Sequence, residues 1–370
     1  MQYTPELTNR FHTNVIEPNP VLETADEYRY TLRGWTLTEN YGGYYDQGVK
    51  VEDYLVDITT IPVVSDITLY AVFQLESVYD NPTDEKYFNF NKINNETYGV
   101  GYQISLKKEY AHMITGKVTL PATHTENGDT QNVVSIGAFQ DGIKEPLNIT
   151  HIFFMPGSKY VSIADSAFKG MPNTIPKLEM VKFPEDMTTL KHIGSYAFNY
   201  CRKLKYINLL DSITYIGERT FYPGSARTGS LEINKLPESL ITLGDYAFYG
   251  CHLIELTSLP KSLVSIGSYA FRDCPNVAII DFGSDKDTIN GSQLKKIGTQ
   301  AFEDSGHDNN QSAVGDYIIL RQSVTTIGHN AFSGYGGAKN SLTAYYTHSN
   351  FAYTEDDLGV DKVERYVDLQ

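Results

Sequence analysis

Apolar positions along most of this chain follow one short phrase: Ile or Leu, Gly, two polar or aromatic residues, Ala, Phe. A shortened copy, Ile136-Gly-Ala-Phe139, comes first. It is followed by Ile163-Ala-Asp-Ser-Ala-Phe168, Ile193-Gly-Ser-Tyr-Ala-Phe198, Ile216-Gly-Glu-Arg-Thr-Phe221 and Leu243-Gly-Asp-Tyr-Ala-Phe248. Ile266-Gly-Ser-Tyr-Ala-Phe271, Ile297-Gly-Thr-Gln-Ala-Phe302 and Ile327-Gly-His-Asn-Ala-Phe332 bring the number of copies to eight. Successive phenylalanines lie 29, 30, 23, 27, 23, 31 and 30 residues apart, so the smallest unit is 23 residues and the surplus is insertion. A second phrase recurs between the motifs: a short apolar strand, then Pro or a polar turn, then Ser with an apolar residue. Leu204 to Leu209 before Ser212-Ile213, Leu236-Pro237 before Ser239-Leu240, and Leu259-Pro260 before Ser262-Leu263 all follow it.

One such unit buries too little apolar surface to offset its conformational entropy, so each coil must stack on its neighbours. Stacking places the same motif position at the same depth in every coil. The spacing therefore predicts internal ladders built from the motif Ile and Ala, from Phe168, Phe198, Phe221, Phe248, Phe271, Phe302 and Phe332, and from Cys201, Cys251 and Cys274, each three residues after a motif Phe. The Gly after Ile supplies either a positive φ or a close backbone approach. With strands about 4.8 Å apart, eight coils give a curved rod on the order of 40 Å long.

These motifs resemble the BspA-type leucine-rich-repeat family, whose units carry Ile-Gly-x-x-Ala-Phe-x-x-Cys; the phrase is almost complete at 193–201 and 266–274, and has Leu for Ile at 243–251. A unit of 23 residues lies inside the leucine-rich-repeat range. The resemblance covers about two-thirds of the chain, counting a first coil from near Tyr98 through Pro121, and departs from the pattern at the shortened first motif, at Thr220 in place of Ala and at the insertions. It implies a mainly β fold with short turns and helical segments, a leucine-rich-repeat solenoid of about eight to nine coils.

The rhythm before the repeats is different. Tyr28 to Trp35, a Gly/Tyr-rich turn at 40–45 and the alternating stretch Asp66 to Phe73 read as strands around a turn. This segment resembles the Listeria-Bacteroides repeat, the InlB B-repeat type, in which a Gly-Trp strand pairs with an Asp-x-Thr-Leu-Tyr-Ala-x-Trp strand in a small β-grasp-like domain; Phe73 stands where that family has Trp, and 11–15 matches the opening strand poorly. The expected organisation is a B-repeat-like domain over 1–78, a linker over 79–86 containing Pro82, the solenoid over 87–337 and a carboxy-terminal cap over 338–370.

Composition narrows the function. A formal charge of -15 and the lack of any Lys/Arg run make nucleic acid an improbable partner. No apolar stretch is long enough to span a membrane, so no membrane insertion by this chain is expected. The first thirty residues carry Glu, Asp, Pro and Asn where a signal peptide needs an apolar run. Three cysteines argue against a disulfide framework, although Cys251 and Cys274, in adjacent coils, could be bridged geometrically. The nine histidines form no ligand grouping; Asp285, Asp287 and Asn290, and Glu355-Asp356-Asp357, lack EF-hand spacing and read as solvated loops. Nucleophile-elbow and phosphate-loop motifs are absent, so no catalytic residue, cofactor or metal is expected.

The best candidates for binding are aromatic. Tyr196, Tyr246 and Tyr269 share the motif position two before Phe and should line up along one side, either as a contact surface for protein or glycan or as shields over the turns of their own coils. The polar insertions at 223–230, 283–293, 306–316 and 335–341 are alternatives. Both resemblances imply a non-enzymatic adhesion or spacer module, extracellular or displayed on a cell surface, with protein or glycan ligands. The alternative is a bacteriophage virion component, in a tail, fibre or decoration protein, contacting other virion proteins.

Overall fold

The computed structural model describes residues 28–36, 70–78 and 82–366, apart from 141–142, 144–145, 172–175, 225–228, 285–290, 307–316 and 337–341. Backbone proximity divides the chain into two compact units, Met1–Asn81 and Pro82–Gln370. In the first, strand β1 (Tyr28–Thr36) pairs antiparallel with β2 (Tyr70–Ser77), with an irregular register between Leu32 and Gly34. The opening strand sought near 11–15, the turn at 40–45 and the acidic cluster at Asp285, Asp287 and Asn290 lie outside the described residues.

The second unit opens with an antiparallel hairpin, β3 (Phe88–Asn95) and β4 (Gly99–Leu106). Next come β5 (Thr115–Leu120), β6 (Thr123–Glu126), β7 (Asp129–Ile136) and β8 (Asn148–Phe154). From there the strands are short: β9 (Ser162–Ile163), β10 (Met180–Lys182), β11 (His192–Ile193), β12 (Tyr206–Ile207), β13 (Tyr215–Ile216), β14 (Thr242–Leu243) and β15 (Ser265–Ile266). The remainder are β16 (Asp281–Phe282), β17 (Lys296–Ile297), β18 (Tyr317–Leu320), β19 (Thr326–Ile327), β20 (Thr343–Tyr346) and β21 (Lys362–Arg365).

Apart from β6, which pairs antiparallel with β7, they form two ladders. The first joins β4, β7, β9, β11, β13, β14, β15, β17 and β19 in parallel, one strand per coil, and β3 closes its amino-terminal edge. Nine coils follow from that count among the described residues, within the eight to nine implied by the repeat. The second joins β5, β8, β10 and β12, continues through isolated bridges at Ile233–Ile254 and Leu256–Val277, and resumes as β16, β18, β20 and β21. The motif Ile residues, Ile163 through Ile297, are fully buried between the ladders, while the residues before them, such as His192 or Lys296, are partly or well exposed, apart from the buried Ser162.

Past the strand, each motif turns, and the turn is a ladder of its own. Tyr246 N–H donates to Ser268 O at 2.8 Å and Phe248 N–H to Ala270 O at 2.9 Å; Tyr269 and Phe271 repeat this onto Thr299 and Ala301 at 2.9 and 2.8 Å. Aiming these N–H groups along the stacking axis requires a left-handed residue two before Phe. Ser166, Tyr196, Arg219, Tyr246, Tyr269, Gln300 and Asn330 occupy it with φ between 49° and 60°. The motif Gly is therefore not the left-handed position. Of the two roles the sequence left open for it, close approach is the one found: a Cβ on Gly267 would stand 2.4 Å from Asp245 N and from Gly244 C.

Inside the turn the rings stack. Phe168, Phe198, Phe221, Phe248, Phe271, Phe302 and Phe332 form a continuous column with centroids 5.1 to 5.7 Å apart and planes within 21° of parallel. Thr220, standing for Ala, is fully buried and donates to Gly194 O and Gly217 O at 3.0 and 2.9 Å. The three cysteines are buried and free, so Cys251 and Cys274 are not bridged. Each thiol donates to the carbonyl of the preceding coil's motif Phe: Cys201 to Phe168 at 3.1 Å, Cys251 to Phe221 at 3.3 Å and Cys274 to Phe248 at 3.1 Å. Ser305 does the same to Phe271. Burial pushes the Cys201 thiol up to about 12 and raises Cys251 and Cys274 as well. Since the thiolate is the reacting form, all three thiols should resist a disulfide reagent at pH 8 in the native protein and react in denaturant. Rapid native labelling of any one of them would contradict the packing.

The carboxy-terminal segment, which carries no motif, imitates a coil. β20 and β21 extend the second ladder. Beside the last motif, helix α1 (Glu355–Leu358) offers Asp357 O to Asn330 N–H at 2.8 Å and Leu358 O to Phe332 N–H at 2.9 Å, the bonds a further motif would make. Leu358 is fully buried, and Tyr353 Oη accepts Ile327 N–H at 3.0 Å. Glu355-Asp356-Asp357 thus belongs to a helical turn rather than to a loop: Thr354 and Asp357 close a capping box there, and acids suit a helix amino terminus.

Candidate functional site

Register across the turns fixes what stands beside what on the outer surface. The left-handed position places Tyr196, Arg219, Tyr246 and Tyr269 in successive coils. The residue after each motif Phe gives a second row, including Lys169, Tyr222, Tyr249, Arg272 and Glu303. All of these side chains are half-buried.

The two rows interlock as alternating rings and cations. The Lys169 ammonium lies 5.1 Å from the Tyr196 ring centroid, and the Arg219 guanidinium lies 5.7 Å from Tyr196 on one side and 4.7 Å from Tyr246 on the other. Tyr246 stacks on Tyr269 at 4.6 Å with planes 13° apart. Arg272 closes the series, 5.7 Å from Tyr269 and 5.9 Å from Tyr249. Tyr249 also packs at 5.7 Å against Tyr246 and edge-on at 5.4 Å against Tyr222. Cation–π contacts contribute about 0.5–1 kcal/mol each at exposed sites. Together they offset part of the left-handed conformation, which costs roughly 1–2 kcal/mol for a residue with a Cβ.

Hydrogen bonds and ion pairs hold the ends of this strip. Tyr196 Oη donates to Glu218 at 2.6 Å and accepts from Arg219 at 3.1 Å, and the bond to Glu218 raises the Tyr196 hydroxyl above its ordinary value. Arg272 pairs with Glu303 at 2.6 Å. Burial nevertheless pushes the Glu303 carboxyl up, outweighing the guanidinium and the amide that Gln300 donates to it.

Of the three tyrosines singled out by motif position, Tyr246 and Tyr269 are in direct contact, and Tyr196 is separated from them by Arg219. Sequence reasoning missed Arg219, although it sits in the same column, because the search was keyed to residue type. It also missed Lys169, Tyr249 and Arg272, which alignment on the residue after Phe would have collected. Ring faces along the strip are thus stacked on one another or covered by cations. Among the described residues no group of three or more His, Cys, Asp or Glu is arranged to hold a metal, and no helix is long and apolar enough to cross a membrane.

Parallel ladders of stacked coils, stacked motif turns and an internal phenylalanine column define a leucine-rich-repeat solenoid. The family model described as BspA type Leucine rich repeat region matches residues 144–233 and 226–335 in six copies, and the chain belongs to that family. No curated protein matches the chain. Among solved structures it is similar to the leucine-rich-repeat protein TpLRR of T. pallidum, at 24% identity over 70% of this chain and 92% of that one, with a TM-score of 0.43. A leucine-rich cell surface protein of Faecalibacterium prausnitzii is 16% identical over 78% and 95%, with a TM-score of 0.42. The pneumococcal vaccine antigen PcpA is 13% identical over 78% and 99%, with a TM-score of 0.24.

Proposed function

We propose that this protein is a non-enzymatic binding module, extracellular or displayed on a cell surface, that holds a protein or glycan ligand through the turn face of its solenoid. The observation that carries the reading is the strip Tyr196–Arg219–Tyr246–Tyr269–Arg272, whose members are locked by mutual stacking. Side chains already ordered in the free protein lose little rotamer entropy on binding, and Tyr and Arg are the residue types that dominate contact energetics. Placement outside the cell is supported by the family resemblance. The alternative of a virion component rests on the sequence alone.

The test is a screen of immobilised glycans and surface proteins, followed by the Tyr246→Ala/Tyr269→Ala double variant. Loss of two central contacts should weaken a ligand held there by roughly thirtyfold or more, as for contacts worth about 2 kcal/mol. Unchanged affinity of a thermally intact double variant would remove the turn face as the site, and the lack of any ligand across the screen would count against the binding reading altogether.

A further inference from the structure

The second ladder is interrupted once in its middle, and the interruption is a groove. Strands β5, β8, β10 and β12 pair in parallel, but the run of paired strands ends at β12. The next coil is tied to it by Glu232 N–H donating to Lys205 O at 2.9 Å, and its own strand bridge, Ile233–Ile254, faces onward. Local sequence accounts for the opening. Where the two following coils have Leu-Pro-x-Ser, at 236–239 and 259–262, this one has Leu209-Leu210-Asp211-Ser212. Asn208, just before, is committed backwards: its side chain accepts Phe183 N–H and donates to Phe183 O, both at 2.8 Å, satisfying the preceding coil in place of a strand.

The resulting groove has a volume of about 490 Å³, inside the range of ligand-sized sites. Ile207, Leu209, Leu210 and Ile233 supply apolar walls. Tyr206 stands at the mouth, 42% exposed. Three carboxylates, Glu185, Asp211 and Glu232, line it against one ammonium, Lys235. That ammonium is held by Asp211 at 3.5 Å and by Glu238 at 3.1 Å, so the local balance remains acidic.

Building on the reading of the protein as a binding module, we propose that this groove takes an extended segment of a protein partner in which Lys or Arg alternates with apolar residues. The groove is walled by β12 and the following coil, which Glu232 N–H joins to Lys205 O, so an extended segment would lie over it with alternate side chains entering and giving specificity. Apolar side chains of the segment enter between Leu210 and Ile233, and its cations face Glu185 and Glu232. Such attachment weakens as salt screens the carboxylates.

The experiment uses the full chain and a labelled octapeptide of alternating Lys and Val, with a Glu/Val octapeptide as the opposite charge, read by fluorescence anisotropy. Glu185→Lys/Glu232→Lys, both at exposed positions, is compared with Glu96→Lys/Glu109→Lys, an equal charge change on exposed residues outside the groove. The expected result is binding of the Lys/Val peptide alone, weakened roughly tenfold or more by the groove variant and less than about twofold by the control. Backbone amides of 206–210 should gain hydrogen-exchange protection on binding. Equal weakening by both variants would reduce the effect to general acidity and overturn the proposal, as would no binding, or self-association of the chain that the groove variant abolishes. If this fails while a glycan or protein ligand still depends on Tyr246 and Tyr269, only the groove is refuted and the binding module stands.

Discussion

Replacing Phe248 with alanine is expected to lower the stability of the solenoid by about 3–5 kcal/mol, the cost typical of removing a buried aromatic ring. The ring is fully buried and sits between Phe221 at 5.1 Å and Phe271 at 5.7 Å, both nearly parallel to it. Neither neighbour can close the gap. Phe221 N–H is bonded to Ala247 O and Phe248 N–H to Ala270 O, each at 2.9 Å, so the coils keep their spacing and the cavity persists. The loss should appear as a lower urea midpoint, with a reduced slope if the two halves of the array then unfold separately, since each coil is stabilised only by its neighbours. A midpoint unmoved from wild type would sink the assignment of Phe248 to a shared column.

Gly267→Ala should also be damaging, for a reason that involves no lost contact. The added methyl would meet backbone, at 2.4 Å from Asp245 N and from Gly244 C, and backbone held in a ladder yields poorly. Gly244 and Gly298 are equally crowded, their nearest backbone atoms at 2.5 and 2.3 Å, so each coil would have to move away from its predecessor. Overpacking of this kind costs about 1–3 kcal/mol, occasionally more. The matched control is Gly250→Ala: it has a positive φ of 70° and the nearest atom an added Cβ would meet is the Pro223 side-chain Cγ at 3.8 Å, so its cost comes from conformation alone. If Gly267→Ala were the milder of the two in thermal unfolding, close approach would not be the reason for glycine in the motif.

The repeat itself was legible because stacking forces identical neighbours onto identical depths, so Ile, Ala, Phe and Cys declare their ladders by spacing alone. Conformation at the turn was not. A left-handed residue is usually betrayed by Gly or Asn, and only Asn330 of the seven obeys; Tyr246 and Arg219 adopt it because backbone bonds and stacked side chains outweigh local preference. The role of the cysteine as donor to a carbonyl one coil back was hidden too, though Ser305 at the same position shows that a hydroxyl performs it. The tyrosine row was visible in part, its cationic members only once the neighbouring row was in place. At the carboxy terminus, α1 imitates a motif through backbone carbonyls, which no side-chain pattern records.

Backbone bonds between coils are of two kinds. At the strands they run both ways, as a parallel ladder requires, Gly267 N–H donating to Leu243 O at 2.8 Å among them; in the turns they run one way, an earlier coil donating to a later one, as Tyr246 N–H does to Ser268 O. The two ends are therefore unlike. A carboxy-terminal neighbour must present carbonyls to the turns, as α1 does, and an amino-terminal neighbour must present N–H groups there, so arrays of such coils can be joined head to tail and in no other sense.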